Sequence, residues 1–311
     1  MSRAGSSERQ REFVKLFSGF SGKYSRYTVW QDFVWMAACA ISNAVDHRYA
    51  EQRETRYMEI VKKYSDQEAD IFPTLFGLVV SGMEEDPDQD FLGELYMTLE
   101  LGNSHAGQFF TPYDVCVAMT KVTMEENNVR AFIDKQGYIS INDPACGAGA
   151  TLVSAANTLR SMGINYQQCA LFIGQDIDYT VGLMCYIQLS LLGCAGYVRI
   201  GNTLTNPMTG NALFGNAKED NIWYTPMFFA DRWATLRAID NAKSLFAAVA
   251  TALPQPDNDN PSVNMGADEE NAETVLEPIP EPTLEEPAAS VIMVKKNGRR
   301  KQLEGQLMFD I

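Results

Sequence analysis

Two aspartates and an asparagine, each standing at the end of an apolar run, carry the chemistry open to this chain. Asp143 closes GYISIND and opens the turn DPACGAGA, Asp176 closes CALFIGQD, and Asn202 follows GYVRI in GNTL. In the first turn, Gly147 and Gly149 remove side chains where backbone and ligand must approach closely. Exposed N–H groups at the start of the next helix favour a carboxylate or phosphate, and Asp143 beside them can accept from an ammonium group. A ligand with both charges, such as an amino acid, suits this pairing; a plain tight strand-to-helix turn accounts for the same residues. Asp176 lies 33 residues past Asp143 and can take the two hydroxyls of a ribose. Ile177 can pack on a purine face, and Asn202 can hydrogen-bond a purine edge. An amino-acid end, a ribose and an adenine in one line describe S-adenosylmethionine. The turn is not GxGxxG and lacks the Lys-Ser/Thr of a phosphate loop, which argues against a nucleoside triphosphate.

The elements that must position these residues alternate between about 107 and 204. TPYDVCVAMTKVTM reads as a helix with Pro112 in its first turn. GATLVSAANTLRSMG is a helix ended by Gly163, and YTVGLMCYIQLSLLG is another. With the three apolar runs as strands, this order implies a parallel sheet with right-handed crossovers. Residues 8 to about 100 read as helices. VWQDFVWMAACAISNAV (29–45) holds apolar residues at helical spacing, with Trp30, Phe33 and Trp35 as core. SDQEADIFPTLFGLVVSGM (65–83) opens with a Ser65 cap and Glu68 three residues on, and Asp88 caps a further helix. After residue 221 come the apolar run NIWYTPMFF and one helix, with no strand to follow. The segment 254–290, rich in Pro, Asn and Glu, cannot bury enough to fold alone. The expected organisation is a helical domain over 1–100, an S-adenosylmethionine-binding α/β domain over 101–253, and a disordered acidic tail with a basic patch and a C-terminal apolar motif over 254–311.

DPACGAGA resembles the first motif of the adenine-N6 DNA methyltransferases, and GQFFTP (107–112) resembles their motif X. DFLGELYMTLELGNSHAGQFFTP (90–112) looks like the junction of helical and catalytic domains in methylation subunits of type I restriction-modification systems. GQDID (174–178) and GNTL (201–204) match the next two motifs in order and spacing, so the resemblance spans about 85–230. It implies an α/β, Rossmann-like parallel sheet behind an N-terminal helical domain; because one helix is all that follows residue 229, the sheet reads as truncated beside the family's. It also implies transfer of a methyl group from S-adenosylmethionine to a flipped adenine in DNA. By this likeness Gln108, Phe109, Thr111 and Pro112 line the methionine side of the cofactor. Asp143, Ala145, Cys146 and Gly147 wrap its amino-acid end, and Asp176 holds the ribose. Asn202 stands where the family commonly has Asp, which alters the contact to the adenine amine. One of Phe109 and Phe110 is expected to be ordinary core.

The family's catalytic motif, Asn-Pro-Pro followed by an aromatic residue, is absent. Its amide accepts hydrogen bonds from the exocyclic amine of adenine, and its aromatic ring stacks on the base. Asn206-Pro207-Met208-Thr209 comes close, but soon after GNTL, where it reads as a turn. Thr225-Pro226-Met227-Phe228, after Ile222-Trp223-Tyr224, has the better register. There Phe228 is the stacking residue and Thr225, able to accept a single hydrogen bond, replaces the asparagine. With later strands missing as well, either a second chain completes the site or this is a catalytically degenerate binding or replication-accessory protein.

The net charge of −15 argues against non-specific binding to nucleic acid. It is unevenly placed: residues 256–287 hold ten acidic and no basic residues, while KKNGRRK (295–301) holds five basic ones and can meet DNA phosphates. Six cysteines without CxxC fit a reduced, cytoplasmic protein, and two histidines with no zinc-ligand spacing give no metal. No apolar run has the length of a membrane span, and the N-terminus has no apolar secretion segment. The terminal GQLMFDI, through Gln306, Leu307, Met308 and Phe309, resembles short peptides that dock into the bacterial sliding clamp. DNA and a specificity or second methyltransferase subunit complete the expected partners.

Overall fold

The structure, a computed structural model, describes residues 7–101, 110–215, 221–252 and 306–308. Helix α1 (Glu8–Phe17) starts in a reciprocal cap, Ser7 Oγ accepting from Gln10 N while the Gln10 side chain accepts from Ser7 N. It is followed by α2 (Arg26–Asn43) and α3 (Ala50–Val61). The Ser65–Glu68 cap expected from the sequence is present, but it starts only the short α4 (Asp66–Ala69), and α5 (Ile71–Glu85) follows as a separate helix. Pro73 accounts for the break, since it has no N–H to give to the carbonyl of Ala69. Helix α6 (Phe91–Thr98) is capped by Asp90, not Asp88: Asp90 Oδ1 accepts from Gly93 N at 3.0 Å. Asp88 instead accepts from the Tyr113 hydroxyl at 2.7 Å.

The second half runs α7 (Tyr113–Thr123), α8 (Glu126–Gln136), β1 (Ile139–Asp143), α9 (Ala150–Ser161), α10 (Tyr166–Cys169), β2 (Ala170–Asp176), α11 (Tyr179–Leu191) and β3 (Ala195–Ile200). Then come β4 (Ile222–Tyr224), α12 (Asp231–Ala252) and β5 (Gln306–Met308). The sheet order is β4-β3-β2-β1-β5. Strands β1, β2 and β3 are parallel as expected, with Asp143 opposite Gly174 and Asp176 opposite Ile200. Two features differ from the sequence reading. Strand β4 runs antiparallel, pairing Tyr224 with Tyr197 and Ile222 with Arg199. The sheet also gains β5, parallel to β1, with Ser140 opposite Gln306 and Asn142 opposite Met308. The backbone of Gln306–Met308 is thus part of this chain's own sheet, which corrects the reading of these residues as a free peptide for a sliding clamp. Phe309 and the acidic tail over 254–305 lie outside the described residues.

Successive residues along β2 pack on opposite faces. Phe172 joins β1, α9, α11 and the N-terminal helices in one continuous core, and Trp30, Tyr96 and Leu152 are fully buried there. Leu171 and Ile173 join Tyr197, Tyr224, Phe228 and Trp233 on the other face. By its contacts the chain divides into residues 1–243 with 303–311 and a second unit, 244–302, whose described part is the end of α12. Among the described residues no helix is long and apolar enough to cross a membrane, and no three metal-binding side chains gather.

Candidate functional site

The carboxyl ends of three parallel strands bring Asp143, Gly147, Asp176 and Asn202 to one edge of the sheet. Asp143 ends β1 with no solvent exposure. Its Oδ1 accepts from Ala145 N at 3.1 Å, while Oδ2 makes no hydrogen bond of good geometry: the nearby Thr151 hydroxyl donates to Cys116 Sγ and reaches the carboxylate only loosely. Burial pushes this carboxyl up to about 6, against the opposing pull of the Ala145 N–H and the Thr151 hydroxyl. The turn that follows is left-handed at Gly147 (φ 54°) and Gly149 (φ 98°). A Cβ at Gly149 would sit 2.8 Å from Cys185 Sγ, so the turn lies hard against α11.

Asp176 ends β2 and ties the turn to it. One carboxylate oxygen accepts from Gly147 N and the other from Asp178 N, both at 2.9 Å. Burial raises its pKa, and the Asp178 and Gly147 N–H groups hold the rise back. The Ile177 N–H also acts on this carboxylate, which still keeps lone-pair capacity for a ligand hydroxyl. Ile177, beside it, is 70% exposed. Asn202 follows β3, and its Oδ1 accepts from Leu204 N at 2.9 Å and Thr205 N at 3.4 Å. The carbonyl of this amide therefore caps its own loop. The Thr203 hydroxyl donates to Pro144 O, joining this loop to the glycine turn.

Other predicted positions fall as follows. Ala145 is exposed on the turn. The Cys146 side chain is a free thiol, buried, and a hydrogen bond with the Cys185 thiol together with burial raises its pKa, so it packs under the turn. Thr111 is half-buried, and Pro112 caps α7. Phe110 packs on Tyr96, ring centroids 5.3 Å apart, and approaches to 3.5 Å the point where a Gly147 Cβ would stand. Gln108 and Phe109 lie outside the described residues.

The residues expected to meet the base are placed elsewhere. Because β4 is antiparallel, its carboxyl end lies beside the start of β3, at the opposite edge of the sheet. Thr225 is fully buried there, its hydroxyl donating to Cys194 O at 2.7 Å and accepting from Gly196 N at 3.0 Å. Phe228 is 5% exposed, 4.6 Å from the Tyr224 ring and covered by the Arg237 guanidinium at 4.1 Å. From Gly196 to Gly201, β3 spans about 16 Å, so Thr225, Pro226 and Phe228 stand a strand's length from Asp176.

Sequence reasoning missed two glutamines that build the edge. Gln175, 1% exposed, donates to Gly201 O and Asn206 O at 3.2 and 3.0 Å and accepts from Met208 N at 3.2 Å. The Asn206 carbonyl also accepts from Arg199 at 3.1 Å. Gln188, fully buried on α11, donates to Ala148 O at 2.8 Å and to the Asp90 carboxylate at 2.7 Å. It couples the glycine turn to the cap of α6. Both stand as single amides inside apolar runs, a pattern that signals a buried polar group with assigned partners.

Comparison with known proteins adds four findings. A Methanocaldococcus jannaschii protein named type I restriction enzyme MjaIX methylase subunit is 25% identical over 184 residues, covering 52% of this chain and 31% of that protein. The chain therefore spans about a third of that relative's length. Among solved structures, a Listeria monocytogenes protein assigned to the class I S-adenosylmethionine-dependent methyltransferases aligns with 67% of this chain and 58% of its own, at 14% identity and TM-score 0.38. The methyltransferase subunit of a type I restriction-modification system from Streptococcus thermophilus aligns with 64% and 41%, at 18% identity and TM-score 0.36. The family model for N-6 DNA methylases matches residues 88–260, more than half of the chain and every element of the edge just described. The chain belongs to the N-6 DNA methylase family.

Proposed function

We propose that this chain transfers a methyl group from S-adenosylmethionine to the exocyclic amine of adenine in DNA. The observation that carries the reading is the fully buried Oδ2 of Asp143, which makes no hydrogen bond of good geometry, beside two left-handed glycines. A buried carboxylate oxygen left in this way is costly unless a ligand supplies a donor, and the cofactor's ammonium group is such a donor. When bound, S-adenosylmethionine supplies an electrophilic methyl group on its sulfonium. Asp143 and the N–H groups of the glycine turn hold the amino-acid end, and Asp176 accepts from the ribose hydroxyls. Since Asn202 Oδ1 is engaged by its own loop, its Nδ2 is the atom left to meet a ring nitrogen of the purine.

Asn206 is the candidate for the base-facing amide. It is exposed, precedes Pro207, and its carbonyl is held by Gln175 and Arg199 on the cofactor edge. Its side-chain oxygen would accept from the target amine and keep the nitrogen lone pair turned toward the methyl group. Residues 1–100 would act as a helical domain and 101–253 as the cofactor domain. DNA and a specificity subunit, or a second methyltransferase chain, would complete the assembly, in restriction-modification or on a mobile element. Calorimetric titration with S-adenosylmethionine, followed by measurement of N6-methyladenine in mixed-sequence DNA, tests the reading. Saturable binding and new N6-methyladenine are expected; a chain that binds no cofactor would sink it.

A further inference from the structure

Two lines of contact lead from the glycine turn back to α6, in the N-terminal helical half of the chain. The first runs through an amide. Gln188 of α11, fully buried, donates through Nε2 to Ala148 O at 2.8 Å and to Asp90 Oδ1 at 2.7 Å, and its Oε1 accepts from Leu92 N at 3.2 Å. Both N–H groups and the carbonyl of this amide are thus engaged, either by the glycine turn or by the start of α6. Asp90, 4% exposed, is shared in turn. The same Oδ1 accepts from Gly93 N at 3.0 Å, and a Cβ at Gly93 would overlap the carboxylate, so α6 closes tightly on it. The second line is aromatic. Phe110 approaches to 3.5 Å the point where a Gly147 Cβ would stand, and Tyr96 of α6 packs on Phe110 with ring centroids 5.3 Å apart.

These contacts fall where the turn most needs them. Ala148 stands between Gly147 at φ 54° and Gly149 at φ 98°, and glycine on both sides leaves the peptide groups there several conformations of similar energy. Asp176 holds the Gly147 N–H from the sheet, and Gln188 holds the Ala148 carbonyl from the helices. Gln188 is itself fixed because Asp90 and Leu92 answer the rest of its amide. A serine would cap α6 without burying a charge, so capping alone does not account for a carboxylate at position 90. Its second bond, to Gln188, does.

We propose that Asp90 and Gln188 are positioning residues, through which α6 fixes the glycine turn in the shape that takes the amino-acid end of S-adenosylmethionine. This rests on the cofactor reading above. Both side chains are buried, so neither meets the ligand. Asp90 acts through Gln188, and Gln188 acts through the carbonyl of Ala148. The helical half is then a working part of the cofactor site, and a displacement of α6 loosens the turn.

The test is a mutant cycle read by calorimetric titration of the full chain with S-adenosylmethionine and S-adenosylhomocysteine, with urea unfolding of each variant alongside. Gln188→Leu is expected to weaken both ligands about tenfold and Asp90→Ala about fivefold, each the cost of losing a buried hydrogen bond. Because Asp90 acts through Gln188, the double variant should bind no more weakly than Gln188→Leu alone, whereas independent effects would multiply to about fiftyfold. Asp90→Asn keeps an acceptor for both Gln188 and Gly93 N, so its affinity should stay within about a factor of two of wild type. A purely structural role would lower the unfolding midpoint and leave the affinity of the folded protein unchanged. That result, or multiplied losses in the double variant, would overturn the proposal and leave the cofactor reading standing. Where Gln188→Leu does not fold, Asp90→Ala against Asp90→Asn decides, and equal affinities in the two would overturn it. A wild type that binds neither ligand would overturn both readings.

Discussion

The two ends of β3 each carry a short polar segment followed by proline, and they differ in what is left over once the protein's own bonds are made. At the amino end, the Thr225 hydroxyl bridges Cys194 O and Gly196 N, and the Phe228 ring is covered by Tyr224 and Arg237. At the carboxyl end, Asp143 Oδ2 makes no hydrogen bond of good geometry, two glycines hold positive φ, and Asn206 is exposed. A segment whose polar groups are all answered by the chain is structure. One that keeps a buried donor or acceptor unanswered is shaped for something absent from the chain itself. Arg237 Nη1 at the amino end is also buried without a partner, so what marks the carboxyl end as the proposed site is the buried carboxylate together with the two glycines, although Thr225-Pro226-Met227-Phe228 reads as the nearer match to the family's catalytic motif.

The sharpest break in this comparison is catalytic. Replacing Asn206 by Ala is expected to lower the methylation rate by about 10²–10³, the usual cost of one oriented hydrogen-bonding group at a reacting centre. Affinity for S-adenosylmethionine should stay within a factor of two or so, because the proposed role gives this amide to the base and not to the cofactor. The paired variant Thr225→Val should leave the rate per folded molecule near wild type. A Thr225→Val enzyme that folds and binds cofactor yet loses methylation would return the catalytic role to the amino end.

Next in size is the stability of the amino end. Thr225→Val keeps side-chain volume and removes a hydroxyl that meets Cys194 O and Gly196 N. Both backbone groups are then buried without that partner, for an expected loss of about 2 kcal/mol. Urea unfolding measures it, and a change of a few tenths would mean that the hydroxyl is not the staple between β3 and β4.

Much of the carboxyl end was legible in the sequence, and the reason is local. A glycine turn after an apolar run states its own geometry, and Gly147 and Gly149 do have the left-handed φ that only glycine takes easily. Asp143 and Asp176 then reach one edge because parallel strands share a direction. The amino end was misread because strand direction is not local. Ile222-Trp223-Tyr224 has the same period-two pattern in either orientation, and nothing in three residues says which way they run. The loop between Asn202 and Asn221 lets the chain reverse, and Ile200 N donating to Asn221 O at 2.9 Å fixes β4 in the antiparallel sense. Strand β5 was missed for a related reason. Its pairing partner Ile141 lies more than 160 residues earlier, and three residues after a long polar stretch carry no period to read. Asp90 in place of Asp88 as a helix cap shows the ordinary uncertainty of an element boundary.

The smallest effect is also the most diagnostic for the carboxyl end, since it follows from a single proton. The folded-state pKa of Asp143 is raised to about 6, chiefly by burial. A carboxyl raised in this way binds more protons folded than unfolded between about pH 4 and 6, so it costs the free protein stability as pH rises through that window. A cationic ligand at Oδ2 needs the ionised form. Below pH 6 its binding must displace a proton, and S-adenosylmethionine affinity should fall about tenfold per pH unit, levelling off above pH 7. In Asp143→Asn the slope should vanish, affinity should be low at every pH, and the free protein should be more stable at neutral pH than wild type. The two signs are opposite by necessity, because the charge that destabilises the empty turn is the charge the ligand answers. A wild-type titration that is flat from pH 5 to 7 would mean that Asp143 meets no ammonium group, and the distinction between the two ends of β3 would have to rest on Asn206 alone.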